Sequence, residues 1–317
     1  MEEGTGLIPW KDILRGSMVV SFFCLSPGTI PILGSVIGIF TLIPILFYLV
    51  KLGWGYGLAV LGIALIFSIF LWPLFGSGSE YFLVEMFILG PVLFSFLKRG
   101  FSITKTVGYA TGLLILLLSA YLILWGIKTG HNPYQAVVSE INQSMESSLR
   151  FYEQVNLPET TVGAMRDALQ DIRILVARFW PGFAAASLLV LVWMNVWIGN
   201  RILERYGSVN FQFGDLSRWS LPEIIVWLVI LGAGLALLPY PGLQTAGINI
   251  LIFFALAYFF QGLAIVSFYL KKYRFSRFKR ILLYSLIWIQ TYMIIIVALA
   301  GLFDIWADFR RLKKAAD

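Results

Sequence analysis

The sequence predicts an all-α polytopic membrane bundle of about nine transmembrane helices with an amphipathic helical pair outside it. Three observations carry that expectation. Of 317 residues, 59% are hydrophobic and only 13% are charged, about half the charge of an ordinary soluble domain. Apolar runs of about 20 residues, the length that crosses a bilayer core, recur along the chain. Lysines and arginines gather in alternate turns between those runs, the pattern that orients membrane proteins.

The expected spans are residues 12–27, 31–50, 57–75, 81–97, 107–127, 179–199, 221–239, 246–270 and 281–303, each bounded by glycine, proline or clustered charge. The first is the shortest in apolar content, because Asp12 and Arg15 leave only "GSMVVSFFCLSP" as its centre. No small-residue cleavage site follows it, so it reads as an uncleaved first helix. With the N-terminus on the cytoplasmic side, the inside turns hold cations from Lys11 and Arg15 through Lys98 and Arg99 to Lys271, Lys272, Arg274, Arg277, Lys279 and Arg280. The short outside turns hold none. "KKYRFSRFKR" is thus a cytoplasmic hairpin turn and also a candidate docking surface for a membrane or cytoplasmic protein partner. A ninth span starting inside would carry Arg310, Arg311, Lys313 and Lys314 outside, against the same rule, and leaves the side of the tail open.

Three blocks follow: an N-terminal membrane bundle over 1–127, an extracytoplasmic helical segment over 128–178, and a C-terminal membrane bundle over 179–317. In the middle block apolar residues recur with a helical period, Tyr134, Val138, Ile141, Met145, Leu149 and Tyr152, then Val162, Met165, Leu169, Ile172, Val176 and Phe179. Asn132–Pro133 has the form of an N-cap and first-turn pair, and "NLPETT" separates two helices. The pair would serve as a lid over an outward cavity or as an interfacial packing element.

Enzyme chemistry is poorly supplied. The single histidine is His131, and no His, Cys or carboxylate cluster has metal-ligand spacing, so no metal site and no cofactor are expected. Neither a phosphate-cradling loop with its lysine nor a nucleophile elbow appears. The net charge of +7 sits in the turns, where orientation explains it and nucleic-acid binding is not needed. Cys24 stands alone in apolar surroundings and reads as a small buried hydrophobe. Polar side chains inside spans are the remaining candidates, because in hydrocarbon they must face protein or water. Glu85 is the one acid well inside an expected span and is a candidate ligand or ion contact or a hydrated rim residue. Gln261 lies ten residues before Lys271 and Gln290 ten after Arg280, so an antiparallel hairpin would set the two amides at one depth, as a clamp or as a substrate contact. Asn195, in "VWMNVW", is expected near the inner interface.

"QGLAIVSFYLKK", the ending "GLFDIWADFRR" and "IPILGSVIGIFTLIPILFYLVKLGWGYGLAVL" together resemble the YybS-like family of uncharacterised bacterial multispanning membrane proteins, along nearly the whole chain. The Gln261–Gly262 pair and Asp304, Asp308 and Arg310 are its most family-like features. The resemblance implies a bacterial cytoplasmic (inner) membrane location. The family's N-terminal half in turn is similar to the substrate-binding S components of energy-coupling-factor vitamin transporters. That similarity implies that "CLSPGTIPILGS" is a loop closing over a small molecule. Where those subunits carry small alanines on the first helix to dock a coupling subunit, this chain has Gly16, Ser17 and Ser21. Two functions follow as expectations: a small-molecule, vitamin-like binding or transport subunit, or a noncatalytic membrane scaffold that recruits partners.

Overall fold

The structure is a computed structural model and describes residues 8–30, 33–75, 81–154, 159–206 and 214–311. The regular elements are all helical: α1 Trp10–Thr29, α2 Leu33–Ile39, α3 Leu42–Phe75, α4 Tyr81–Lys98, α5 Ile103–Thr129, α6 Pro133–Gln154, α7 Glu159–Arg205, α8 Val226–Ala236, α9 Pro241–Lys272, α10 Arg277–Ile289 and α11 Thr291–Ala307. Short 3-10 turns at Leu216–Arg218 and Glu223–Ile225 precede α8. Four stretches are long and apolar enough to cross a bilayer: Leu42–Leu74, Ile103–Thr129, Arg166–Arg205 and Pro241–Lys272. Counting α10 and α11 as one span, bent by 103°, brings the number to five. The count of nine suggested by the sequence is not reached among the described residues, because several expected spans are interrupted.

The chain forms two compact units, Met1–Tyr121 with Leu188–Phe213 and Leu122–Ser187 with Gly214–Asp317. In the first, the expected span 31–50 is split into α2 and the start of α3. Pro44 has no N–H for the carbonyl of residue 40, so the chain turns at Phe40–Thr41 instead of continuing as one helix. A second break falls at Gly53, whose φ of 72° and ψ of −175° reverse the chain inside α3. The reversal shows in the contacts, since Tyr48 packs beside Gly16 while Ser17 and Ser21 donate to the carbonyls of Val60 and Ala64, each at 3.1 Å. Residues before Gly53 therefore run antiparallel to α1 and those after it run parallel. The small face of α1, Gly16, Ser17 and Ser21, is consumed by this packing and is not free to dock another subunit. Residues 24–29 of the expected binding loop are the last turn of α1, and 31–32 fall outside the described residues.

In the second unit Asn132 caps α6, accepting from the Tyr134 N–H at 2.9 Å. The helices α6 and α7 pair antiparallel: Arg173 donates to Asn142 at 2.7 Å and the Tyr134 hydroxyl to the Ala177 carbonyl at 2.8 Å. That carbonyl is available because Pro181, four residues on, has no N–H. The break expected at "NLPETT" lies mostly outside the described residues. The expected span 221–239 keeps only the 11 residues of α8 as helix, and the expected span 281–303 is bent at Gln290.

The bend at Gln290 changes the direction of the chain's end. After the turn at 273–276, α10 runs back along α9, and Phe259, Ile287 and Val297 form a shared core. The helix α11 then returns: Gly301 meets Tyr258 and Gly262, Gln261 meets Asp304, and Tyr269 donates to the Phe309 carbonyl at 2.7 Å. Both ends of the α10–α11 pair consequently lie at the end of α9 that carries Lys271. The crossing is close, as a Cβ on Gly262 would collide with the Val297 carbonyl and one on Gly301 with that of Tyr258. Small residues at such crossings let helix backbones approach where hydrophobic burial supplies no drive. Gly262→Leu and Gly301→Leu are each expected to destabilise the second unit by about 1–3 kcal/mol or more through overpacking, read as a lowered thermal midpoint in detergent.

Candidate functional site

The segment 214–225 lies against α9 with little regular structure. Asp215, near its start, pairs with Lys271, and Leu221 donates its N–H to the Gln261 side-chain carbonyl at 3.0 Å. Residues 271 and 261 are about 15 Å apart along a helix, and the 3-10 turn Leu216–Arg218 followed by extended chain from Trp219 to Leu221 covers about that distance. The segment therefore descends beside α9 toward the middle of the helix. Non-helical backbone at membrane depth survives only where protein or water meets its polar groups, and Gln261 and Arg310 supply that need here, with Asp304 holding Arg310 in place.

Arg310 donates from one guanidinium nitrogen to the carbonyls of Ser217 at 3.0 Å and Trp219 at 2.8 Å. Its other terminal nitrogen donates to Asp304 at 2.7 Å. Asp304 also accepts from the Phe309 N–H at 3.0 Å and, at 3.5 Å, from the Gln261 amide. Gln261, Asp304 and Arg310 are 1%, 6% and 4% exposed. Local geometry at the end of α11 makes this possible. Asp308 takes the left-handed conformation at φ 39° and ψ 55° and caps the helix, so the chain folds back and Arg310 reaches a carboxylate six residues earlier. At the mouth of the segment, Asp215 caps the first 3-10 turn through the Ser217 N–H at 3.0 Å. The hydrogen bond from Lys271 is the main reason its carboxyl falls to about 2.

The expected hydrogen bond between Gln261 and Gln290 is absent. Gln261 is engaged with Leu221 and Asp304, while Gln290 lies exposed at the α10–α11 junction. The count from the turn does bring the end of α10 level with Gln261, since Ile287 packs on Phe259, but Gln290 sits at the bend with its side chain turned out of the core. Glu85 is buried within α4, at 6% exposure, in the first unit. Asn195 is fully buried, and its amide donates to the Ile39 carbonyl at 2.8 Å, where α2 ends. Sequence reasoning missed Arg310 as a buried partner. The available signal was an acid and an arginine six residues apart in "DIWADFR", together with the polar interruption "GDLSRWSLPE" ahead of an apolar run too short to cross alone.

Two cavities lie in the second unit. One, of about 580 Å³, is a groove lined by Trp125, His131, Asn132, Gln135 and Glu140. The other, of about 420 Å³, is apolar and lies among α8, α9 and α11, with Val229, Leu251, Phe259 and Leu299 in its walls.

Long apolar helices, interrupted spans and a buried charge pair holding an interruption define a multi-pass helical integral membrane protein. The chain belongs to the family described as "Predicted membrane protein (DUF2232)", whose model matches residues 18–305. That range includes Gln261 and Asp304, and Arg310 lies just past it. Neither the curated proteins nor the solved structures contain a match.

Removing one member of a buried pair leaves the other charge uncompensated, at a cost of about 3–5 kcal/mol. Asp304→Asn and Arg310→Met are each expected to lower the thermal midpoint of the purified protein strongly. The double variant should be less destabilised than the sum of the two, yet not restored, because the Ser217 and Trp219 carbonyls still lose their donor. For Asp215 the pKa is lowered on folding, so its contribution is complete above the usual carboxylate range and is lost as pH falls from about 4 through about 2. Thermal melts across that window should show a small loss of stability that Asp215→Asn removes.

Proposed function

We propose that this protein is a noncatalytic, membrane-embedded subunit that binds or transports a small molecule. Its working element is the non-helical segment 215–221 with Gln261, Asp304 and Arg310. The observation that carries the reading is the interrupted span itself. Discontinuous helices near the middle of a membrane are the usual place for substrate and ion contacts, because unwound backbone presents polar groups that a continuous helix hides. Here the unwound backbone meets a buried guanidinium that is itself paired with a buried carboxylate. Glu85 is a second candidate contact, within the first unit. Resemblance of the N-terminal half to vitamin-binding S components points to a vitamin-like molecule, and the YybS-like resemblance points to a bacterial inner membrane.

A scaffold that recruits partners is the second reading. It is favoured by the way the Gln261 amide, the Asp304 carboxylate and both terminal nitrogens of Arg310 are turned onto backbone or onto one another, with the Arg310 Nε alone of these groups left without a partner among the described residues. Mass spectrometry of the protein purified in mild detergent separates the two. A small molecule that copurifies with the wild type and is lost in a folded Arg310→Lys variant supports binding. Copurifying proteins with no small molecule support the scaffold.

The topology that fits both readings has the 271–280 turn cytoplasmic, residues 128–178 outside, and α10–α11 as a re-entrant pair rather than a ninth crossing. It rests on the return of Phe309 and Arg310 to the Lys271 end of α9, which puts Arg310 and Arg311 with the cations of the 271–280 turn. In a Cys24→Ser background, cysteines introduced at Ser276 and Arg311 should resist an impermeant reagent in intact cells, while one at Ser147 is labelled. Labelling at Arg311 with protection at Ser276 would mean that α10–α11 crosses the membrane.

A further inference from the structure

The turn after α9 and the first turn of α10 carry six cations, Lys271, Lys272, Arg274, Arg277, Lys279 and Arg280, and no acid occurs between positions 224 and 303. Lys271 is taken by Asp215, and Arg280 donates to the Phe275 carbonyl at 3.0 Å. Lys272 and Lys279 lie over the rings of Tyr269 and Phe275, at 5.8 and 5.9 Å, which leaves their charge in place. Lys272, Arg274, Arg277 and Lys279 have no acidic partner among the described residues. Large apolar side chains stand exposed among these cations: Tyr273 is 64% and Phe278 74% exposed, and Ile281 and Leu282 follow one turn along the same face of α10.

We propose that this surface is a binding site for anionic phospholipid, with Arg274, Arg277 and Lys279 on headgroup phosphates and Phe278, Ile281 and Leu282 among the acyl chains. The mixture of chemistries selects the occupant. An acidic soluble protein would meet the cations without reaching the apolar face of α10. A zwitterionic lipid would cover the apolar face and leave four cations without net counter-charge. An anionic lipid meets both, and cation clusters on amphipathic helices beside a membrane span are the recognised form of such sites. The inference stands whether or not the protein binds a small molecule.

The test uses the full chain in nanodiscs containing equal phosphatidylglycerol and phosphatidylcholine, with retained lipid measured by native mass spectrometry after release. The wild type should retain phosphatidylglycerol over phosphatidylcholine by roughly tenfold or more, and Arg277→Gln alone should lower that ratio on the order of fivefold. The triple variant Arg274→Gln, Arg277→Gln, Lys279→Gln should bring it close to parity. A control triple at the exposed cations of the first unit, Lys98→Gln, Arg99→Gln, Lys105→Gln, should leave it unchanged. Should the first triple fail to fold by its thermal melt, the single Arg277→Gln decides. A wild-type ratio near one, a ratio insensitive to Arg277→Gln, or an equal loss in the control triple would overturn the proposal.

Discussion

Hydrocarbon does not hydrogen-bond, so each backbone N–H and C=O released inside a membrane must find a partner in the protein, at a cost of several kcal/mol where it does not. The architecture of this chain follows from the places where that rule is strained. Pro44 breaks the span that begins with α2, and the carbonyl of Ile39 is met by the amide of Asn195, 156 positions away in sequence. The stretch before α8 is unwound over a longer distance, and its carbonyls at Ser217 and Trp219 are met by Arg310. In each unit a buried polar side chain from elsewhere in the chain stands in for the missing helical neighbour.

The second break explains a chain of dependent features around it. Two stranded carbonyls call for a donor that is long, planar and multidentate, which suits arginine better than lysine. A buried guanidinium in turn requires an anion, and Asp304 supplies it within hydrogen-bonding distance. Asp304 must face inward at the end of α11, which is why the helix stops in a left-handed residue and the chain folds back. Gln261 closes the arrangement, since one side-chain amide can accept from Leu221 and donate toward Asp304. The close crossing at Gly262 and Gly301 brings α9 and α11 near enough for these groups to meet.

Much of this was legible in the sequence. Apolar runs and cation placement declared an all-α membrane protein, and the Asn132–Pro133 pair marked the start of α6. Gln261 stood out because an amide in a span needs a partner. Its partner was misjudged, since equal depth says nothing of the face on which a side chain stands, and at the bend Gln290 is turned out of the core. No proline or glycine marks the junction at Gln290, so nothing local in the sequence announces the bend. The role of Arg310 was hidden for a different reason. It sits beyond the last apolar run, where a cation normally reads as an orientation signal, and only tertiary folding carries it into the interior.

The break before α8 also bears on the choice between a binding subunit and a scaffold. A continuous helix over 214–236 would satisfy its own backbone and would need no arginine, aspartate or glutamine from other elements. Buried ion pairs are in general no more stabilising than apolar packing of the same volume, so the arrangement is not explained by stability alone. What it provides is a stretch of backbone whose polar groups are held by exchangeable side-chain contacts instead of by a helix. A ligand that competed for Arg310 or Asp304 would release Ser217 and Trp219 together, coupling occupancy to the path of the segment beside α9. A passive scaffold would have no use for that coupling, whereas the proposed subunit that opens and closes around a small molecule would.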